Sequence, residues 1–97
     1  MAAPGGAMDG RYAHGPGVVQ REVDDAVFLV KSGDESVFHL NALGAAVWRL
    51  LAEPTSIDEV MEILSSAFPD VEVELIEADV TKLIRRLDRR GLVARSD

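Results

Sequence analysis

Between residues 18 and 40, short runs of valine, phenylalanine and leucine alternate with turn-forming polar residues. The runs are 18–23, 26–30 and 36–40, and the breaks between them are Asp24-Asp25 and Ser32-Gly33-Asp34. Val and Phe favour extended backbone, whereas Asp, Ser and Gly favour turns. The pattern predicts a three-stranded antiparallel meander. Because strand side chains alternate between two faces, Phe38 and Leu40 should face the core and Val37 and His39 should face away from it.

After Leu40 the spacing of apolar residues changes to the helical period of about 3.6. Asn41 can cap a first helix, and Pro54 marks its end. Ser56 and Glu59 have the spacing of a capping box at the start of a second helix, where each side chain satisfies a free backbone amide.

A third helix is predicted from about Val73 to Arg90, with its apolar residues on one stripe. Gly91 can end this helix in the left-handed conformation, and Leu92-Val93 then returns to an extended segment. Three strands followed by three helices indicate an α+β domain of winged helix-turn-helix type, with the helices on one face of the sheet.

The N-terminal residues differ in composition from the rest of the chain. Residues 1–17 are rich in glycine, include two of the four prolines and carry little apolar surface, so we expect a flexible tail. Residues 18–95 then form the domain, in which roughly 80 residues build one modest core. No basic start followed by an apolar block indicates a secretory signal, and no apolar run is long enough for a membrane span. We therefore expect a cytoplasmic protein.

The composition argues against most kinds of catalytic or metal site. The chain has no cysteine, which excludes disulfides and thiolate ligands, and only two histidines, His14 and His39. The serines lie in turns or at helix ends with no histidine nearby in sequence, and no glycine-rich phosphate loop is present. We expect no enzymatic activity, no metal and no cofactor.

The positive charge is concentrated in the third helix. The net charge is −7, yet five of the ten basic residues fall within residues 82–90. At 100° per residue, Lys82, Arg86 and Arg90 lie on one flank of the apolar stripe together with Asp79. The helix dipole favours cations near a helix C-terminus and accounts for Arg89 and Arg90, and Asp79 has the spacing to pair with Lys82. Lys82 and Arg86 remain candidates for binding an anionic ligand.

Four segments of the chain together resemble one protein family. They are residues 39–51 (HLNALGAAVWRLL), Ser56-Ile57-Asp58-Glu59-Val60, Ala78-Asp79-Val80 and Gly91-Leu92-Val93. In this order and spacing they are similar to the PqqD-like family, whose members are also called RiPP recognition elements. The resemblance extends from residue 26 to residue 93. It implies a stand-alone domain that binds the leader segment of a ribosomally made precursor peptide and presents it to a modifying enzyme, such as a radical SAM enzyme, a peptidase or a cyclase.

The resemblance also implies where the peptide binds. In the family, the leader adds as an extra strand to the third strand of the meander, in the groove that faces the third helix. An edge strand has free amides and carbonyls for such pairing. The expected peptide-binding residues are Ser36, Val37, Phe38, His39, Leu40, Asp79, Lys82, Leu83 and Arg86. The basic flank predicts a peptide with acidic side chains next to apolar anchors.

Two other functions remain open at the level of sequence. A three-helix unit with a basic last helix is also typical of winged-helix DNA-binding regulators, although the net negative charge disfavours contact with phosphates. The edge of the third strand can equally pair with a second copy, which would make the chain a homodimer or a structural subunit. The residues do not distinguish PQQ biosynthesis from other peptide pathways.

Overall fold

The computed structural model describes residues 10–33 and 36–96. The predicted meander is present as strands β2 (Val18–Val23), β3 (Ala26–Lys31) and β4 (Val37–Leu40), which form an antiparallel sheet in the order β2-β3-β4. Asp24 adopts a left-handed φ of 55° in the turn between β2 and β3, a conformation that Asp tolerates better than most residues. Phe38 and Leu40 are buried, and Val37 and His39 are exposed, so the predicted alternation is confirmed.

A second small sheet joins both ends of the chain. Its central strand β1 (Arg11–His14) pairs with β5 (Thr55–Ser56) on one side and with β6 (Val93–Ser96) on the other. The predicted flexible tail is therefore wrong for residues 11–14, because Tyr12 is buried and the His14 ring stacks on Trp48 at a centroid distance of 3.6 Å. Residues 1–9 of that predicted tail lie outside the described residues.

The three predicted helices are α1 (Ala42–Leu50), α2 (Ile57–Ala67) and α3 (Val73–Arg89). The Asn41 side chain accepts the Gly44 N–H at 2.9 Å and caps α1. The capping box of α2 is formed, because the Ser56 hydroxyl accepts the Glu59 N–H and the Glu59 carboxylate accepts the Ser56 N–H. Gly91 has a φ of 71° after the end of α3, as predicted.

The core lies between the three helices and the inner face of the β2-β3-β4 sheet. Its largest buried side chain is Trp48 of α1, whose indole N–H donates to the Gln20 side-chain oxygen at 2.7 Å. Lys31, at the end of β3, donates to the Gly91 carbonyl oxygen at 3.0 Å and ties the sheet to the end of α3. Among the described residues, no helix has the length and apolar character to cross a membrane.

Candidate functional site

Strand β4 lies at an edge of its sheet. In the described part of the chain it pairs with β3 alone, and no backbone hydrogen bond outside that ladder involves residues 37–40. In an antiparallel ladder, successive residues point their N–H and C=O groups alternately toward the neighbouring strand and away from it. Two of the four residues of β4 therefore point both backbone groups away from β3. This edge can take a further strand.

A groove of about 300 Å³ runs between β4 and α3. We call it the β4–α3 groove. Seven of the nine residues predicted to bind a peptide line it, namely Phe38, His39, Leu40, Asp79, Lys82, Leu83 and Arg86. The buried side chains of Phe38 and Leu40 face the helices, while Lys82 and Arg86 are exposed on α3. His39 lies at the rim of the groove, and its side chain is exposed beside Phe28 on the other face of the sheet. The groove thus joins an apolar floor to a basic wall.

The other two predicted residues do not line the groove. Ser36 precedes β4, and the side chain of Val37 points to the opposite face of the sheet, where it is 58% exposed. The groove also includes four residues that the sequence analysis did not assign to it: Asn41, Leu43, Gly44 and Val80. The chain turns from β4 into α1 at Asn41, so residues of the first turn of α1 also line the groove.

Arg86 of α3 and Arg90, the residue that follows α3, lie over the ring of Phe38. The guanidinium carbon is 5.0 Å from the ring centroid for Arg86 and 5.5 Å for Arg90. Both distances are within the range of cation–π attraction. The helix dipole therefore does not fully explain why an arginine stands at position 90, because Arg90 also contacts the strand that borders the groove. Arg90 follows Arg86 by four residues, and this spacing places both side chains on the same side of the helix.

The basic residues of α3 form no ion pair with the acidic residues that the structure describes. In the described ranges, 10–33 and 36–96, the ion pairs are Arg11–Glu59 at 2.6 Å and Arg49–Glu22 at 3.0 Å. The pairing of Asp79 with Lys82, which their spacing allows, is not formed. The five cations at residues 82–90 are exposed and form no ion pair among the described residues. They are available to an anionic partner.

Both histidines contact aromatic residues of the described structure. His14 Nε2 donates to the Trp48 carbonyl oxygen at 2.7 Å, and the His39 ring lies 5.1 Å from that of Phe28. No group of three or more His, Asp or Glu residues in the described ranges has the geometry to hold a metal. What the groove offers is backbone hydrogen bonds, apolar contact and positive charge.

The family model described as Coenzyme PQQ synthesis protein D (PqqD) matches residues 26–93, which is more than half of the chain. The chain belongs to the PqqD family. The match begins with β3 and ends at the first residue of β6, so it includes β4, all three helices and the whole β4–α3 groove. No curated protein matches the chain significantly.

Two solved structures share the PqqD-like fold. TbiB1, solved in complex with the TbiA(beta) leader peptide, is 26% identical, with a TM-score of 0.74 over 88% of this chain and 99% of TbiB1. The PqqD truncation of Methylobacterium extorquens PqqCD is described as a functional, stand-alone RiPP recognition element. It is 22% identical, with a TM-score of 0.71 over 92% of this chain and 96% of that one, and shows the shared fold.

Proposed function

We propose that this chain binds the leader segment of a ribosomally synthesised precursor peptide and presents it to a modifying enzyme. The observation that carries the proposal is the open edge of β4 beside a groove whose other wall is α3. An extended peptide can pair with this edge and place alternate side chains in the groove. The complex of the similar TbiB1 with a leader peptide supports this assignment.

Backbone pairing supplies affinity that depends little on the peptide sequence. About four hydrogen bonds at roughly 0.5–1.5 kcal/mol each contribute about 2–6 kcal/mol in total. Specificity must therefore come from side chains. Beside Phe38, the guanidinium groups of Arg86 and Arg90 favour an acidic side chain, and beside Leu40 and Leu83 the groove favours an apolar one.

The proposed role is that of an adaptor without catalytic activity or cofactor. Adding a strand to a sheet edge performs no chemistry, so a second protein must act on the bound peptide. A radical SAM enzyme, a peptidase or a cyclase would each fit this role, in PQQ biosynthesis or in another RiPP pathway. We place this activity in the cytoplasm, where precursor peptides are made.

To test strand addition, peptides that bind the chain are first selected from a phage-displayed library of random linear peptides. A series of variants of one selected peptide is then made, each methylated at a single backbone nitrogen. A paired strand directs alternate N–H groups toward its neighbour. We expect methylation to weaken binding at every second position and to leave the positions between them nearly unchanged. Uniform sensitivity, or none, would contradict strand addition, and failure of the selection would contradict peptide binding itself.

The same protein preparation tests the two alternative functions. Binding to duplex DNA that falls steeply with salt would favour a DNA-binding regulator. Sedimentation measures whether the chain dimerises as its concentration rises. Dimerisation that the selected peptide does not prevent would favour a structural subunit. In our proposal, DNA does not bind at physiological salt, and any self-association through β4 is displaced by the peptide.

A further inference from the structure

The outer face of the β2-β3-β4 sheet, which is turned away from the helices, carries two rows of side chains that run across the strands. Cross-strand pairing places Val19, Val30 and Val37 in one row, and Arg21, Phe28 and His39 in the next. Both rows end at β4, the edge strand.

The valine row is exposed although valine is apolar. Val19 is 57% exposed and Val37 is 58% exposed, whereas two of the three inward positions of β2 are the polar residues Gln20 and Glu22. These two contact Trp48 and Arg49 of α1. The third inward position, Val18, packs against the core. The outer face of an antiparallel sheet is commonly polar, with the apolar residues directed to the core. From Val19 onward the polarity of β2 is inverted, so core packing does not explain the exposure of Val19 and Val37.

An additional strand on β4 would lengthen both rows by one residue. In paired strands, directly opposed residues point to the same face and neighbouring residues point to opposite faces. A peptide residue opposite Phe38 or Leu40 therefore faces the groove, while one opposite Val37 or His39 lies on the outer face. This holds for a parallel and for an antiparallel peptide.

We propose that the chain contacts its peptide on both faces of the sheet, with the side chains of Val37 and His39 forming a second recognition surface on the face opposite the side chains of Phe38 and Leu40. This inference rests on the proposed function and specifies its substrate class. The valine row favours an aliphatic, preferably β-branched, residue opposite Val37. The ring of His39 packs on Phe28 and favours an aromatic residue opposite His39.

Together with the groove, the outer face defines a four-residue pattern for the peptide. Aligned with Val37, Phe38, His39 and Leu40, the peptide residues are aliphatic, acidic, aromatic and apolar. The acidic residue lies beside the two guanidinium groups over Phe38, and the apolar residue lies beside Leu83. The side chains of the first and third residues lie on the outer face, beside Val37 and His39.

The matched substitutions Val37→Lys and Val19→Lys test the second surface. Both residues lie in one row, are equally exposed and pair with Val30, but only Val37 borders the added strand. We expect V37K to weaken binding of a library-selected peptide by roughly tenfold, the equivalent of one buried valine contact, and V19K to leave it unchanged. Thermal unfolding monitored by circular dichroism should be alike for the two variants.

Repeating the selection on His39→Glu supplies a second measurement. We expect the selected peptides to change from aromatic to basic at one position and to keep the acidic residue next to it. Equal affinity of V37K and V19K, with no change of residue in the H39E selection, would overturn the second surface while leaving groove binding in place. If the wild-type chain selects no peptide, the proposed function fails instead.

Discussion

The guanidinium carbon of Arg86 lies 5.0 Å from the centroid of the Phe38 ring. This contact joins α3 to β4 across the β4–α3 groove, and Arg90, directly after the end of α3, approaches the same ring. An edge strand, an aromatic floor and two cations without an ion pair in the described part of the chain are thereby brought together at one place. We consider this the centre of the recognition site.

Charge reversal at Arg86 should weaken peptide binding without unfolding the domain. Arg86→Glu replaces the cation beside the proposed acidic residue with a like charge, so we expect an affinity loss of about tenfold in a fluorescence polarisation titration. Arg85→Glu is the control, because Arg85 is exposed on the same helix and does not line the groove. Equal affinities of the two variants would remove Arg86 from the site.

Loss of the capping hydroxyl should destabilise α2. Ser56→Ala removes the acceptor for the Glu59 N–H, which lies 3.1 Å away, and we expect a decrease of about 1 kcal/mol in the free energy of unfolding in urea. Ser66→Ala, an exposed position near the end of α2, should change it by less than about 0.5 kcal/mol. Equal values for the two variants would contradict a contribution of the cap.

The Glu59 carboxylate should make stability depend on pH. The Ser56 N–H and then Arg11 lower the pKa of Glu59, and partial desolvation opposes them. A carboxyl with a lowered folded-state pKa stabilises the fold above its ordinary pKa, and this contribution is lost as the pH falls through the lowered value. Glu59→Gln should therefore be less stable than wild type near neutral pH, with the difference shrinking below about pH 4 in urea titrations. A difference independent of pH would contradict this account.

The stability of the domain should depend on the hydrogen bond that the buried indole of Trp48 donates to Gln20. Gln20→Leu leaves the indole N–H without the side-chain oxygen at 2.7 Å, and Trp48 is only 1% exposed. We expect a loss of about 1–3 kcal/mol in the free energy of unfolding. Arg21→Leu, at the next position of β2 on the outer face, serves as the control. A smaller loss in Q20L than in R21L would show that the hydrogen bond does not matter.

Features set by near neighbours in sequence were predictable. The meander follows from alternation and turn residues, and the caps at Asn41, Ser56 and Gly91 follow from short-range chemistry. The groove residues on β4 and α3 were placed by combining strand alternation and helical periodicity with the family resemblance.

Features that depend on distant segments were missed. Strand β1 has few apolar residues, and its partners in β6 lie about 80 residues further along the chain, so composition alone assigned it to a tail. The position of Arg90 over Phe38 and the valine row both depend on cross-strand register and helix placement. Local patterns do not determine either of these.

Amide hydrogen exchange at residues 37–40, measured by NMR with and without a selected peptide, tests the central claim most directly. We expect alternate amides of β4, those that point away from β3, to exchange readily in the free protein and to become protected by the peptide. Intermolecular contacts between Hα atoms of the peptide and of β4 should appear with them. Unchanged exchange throughout β4, with protection elsewhere on α3, would contradict strand addition.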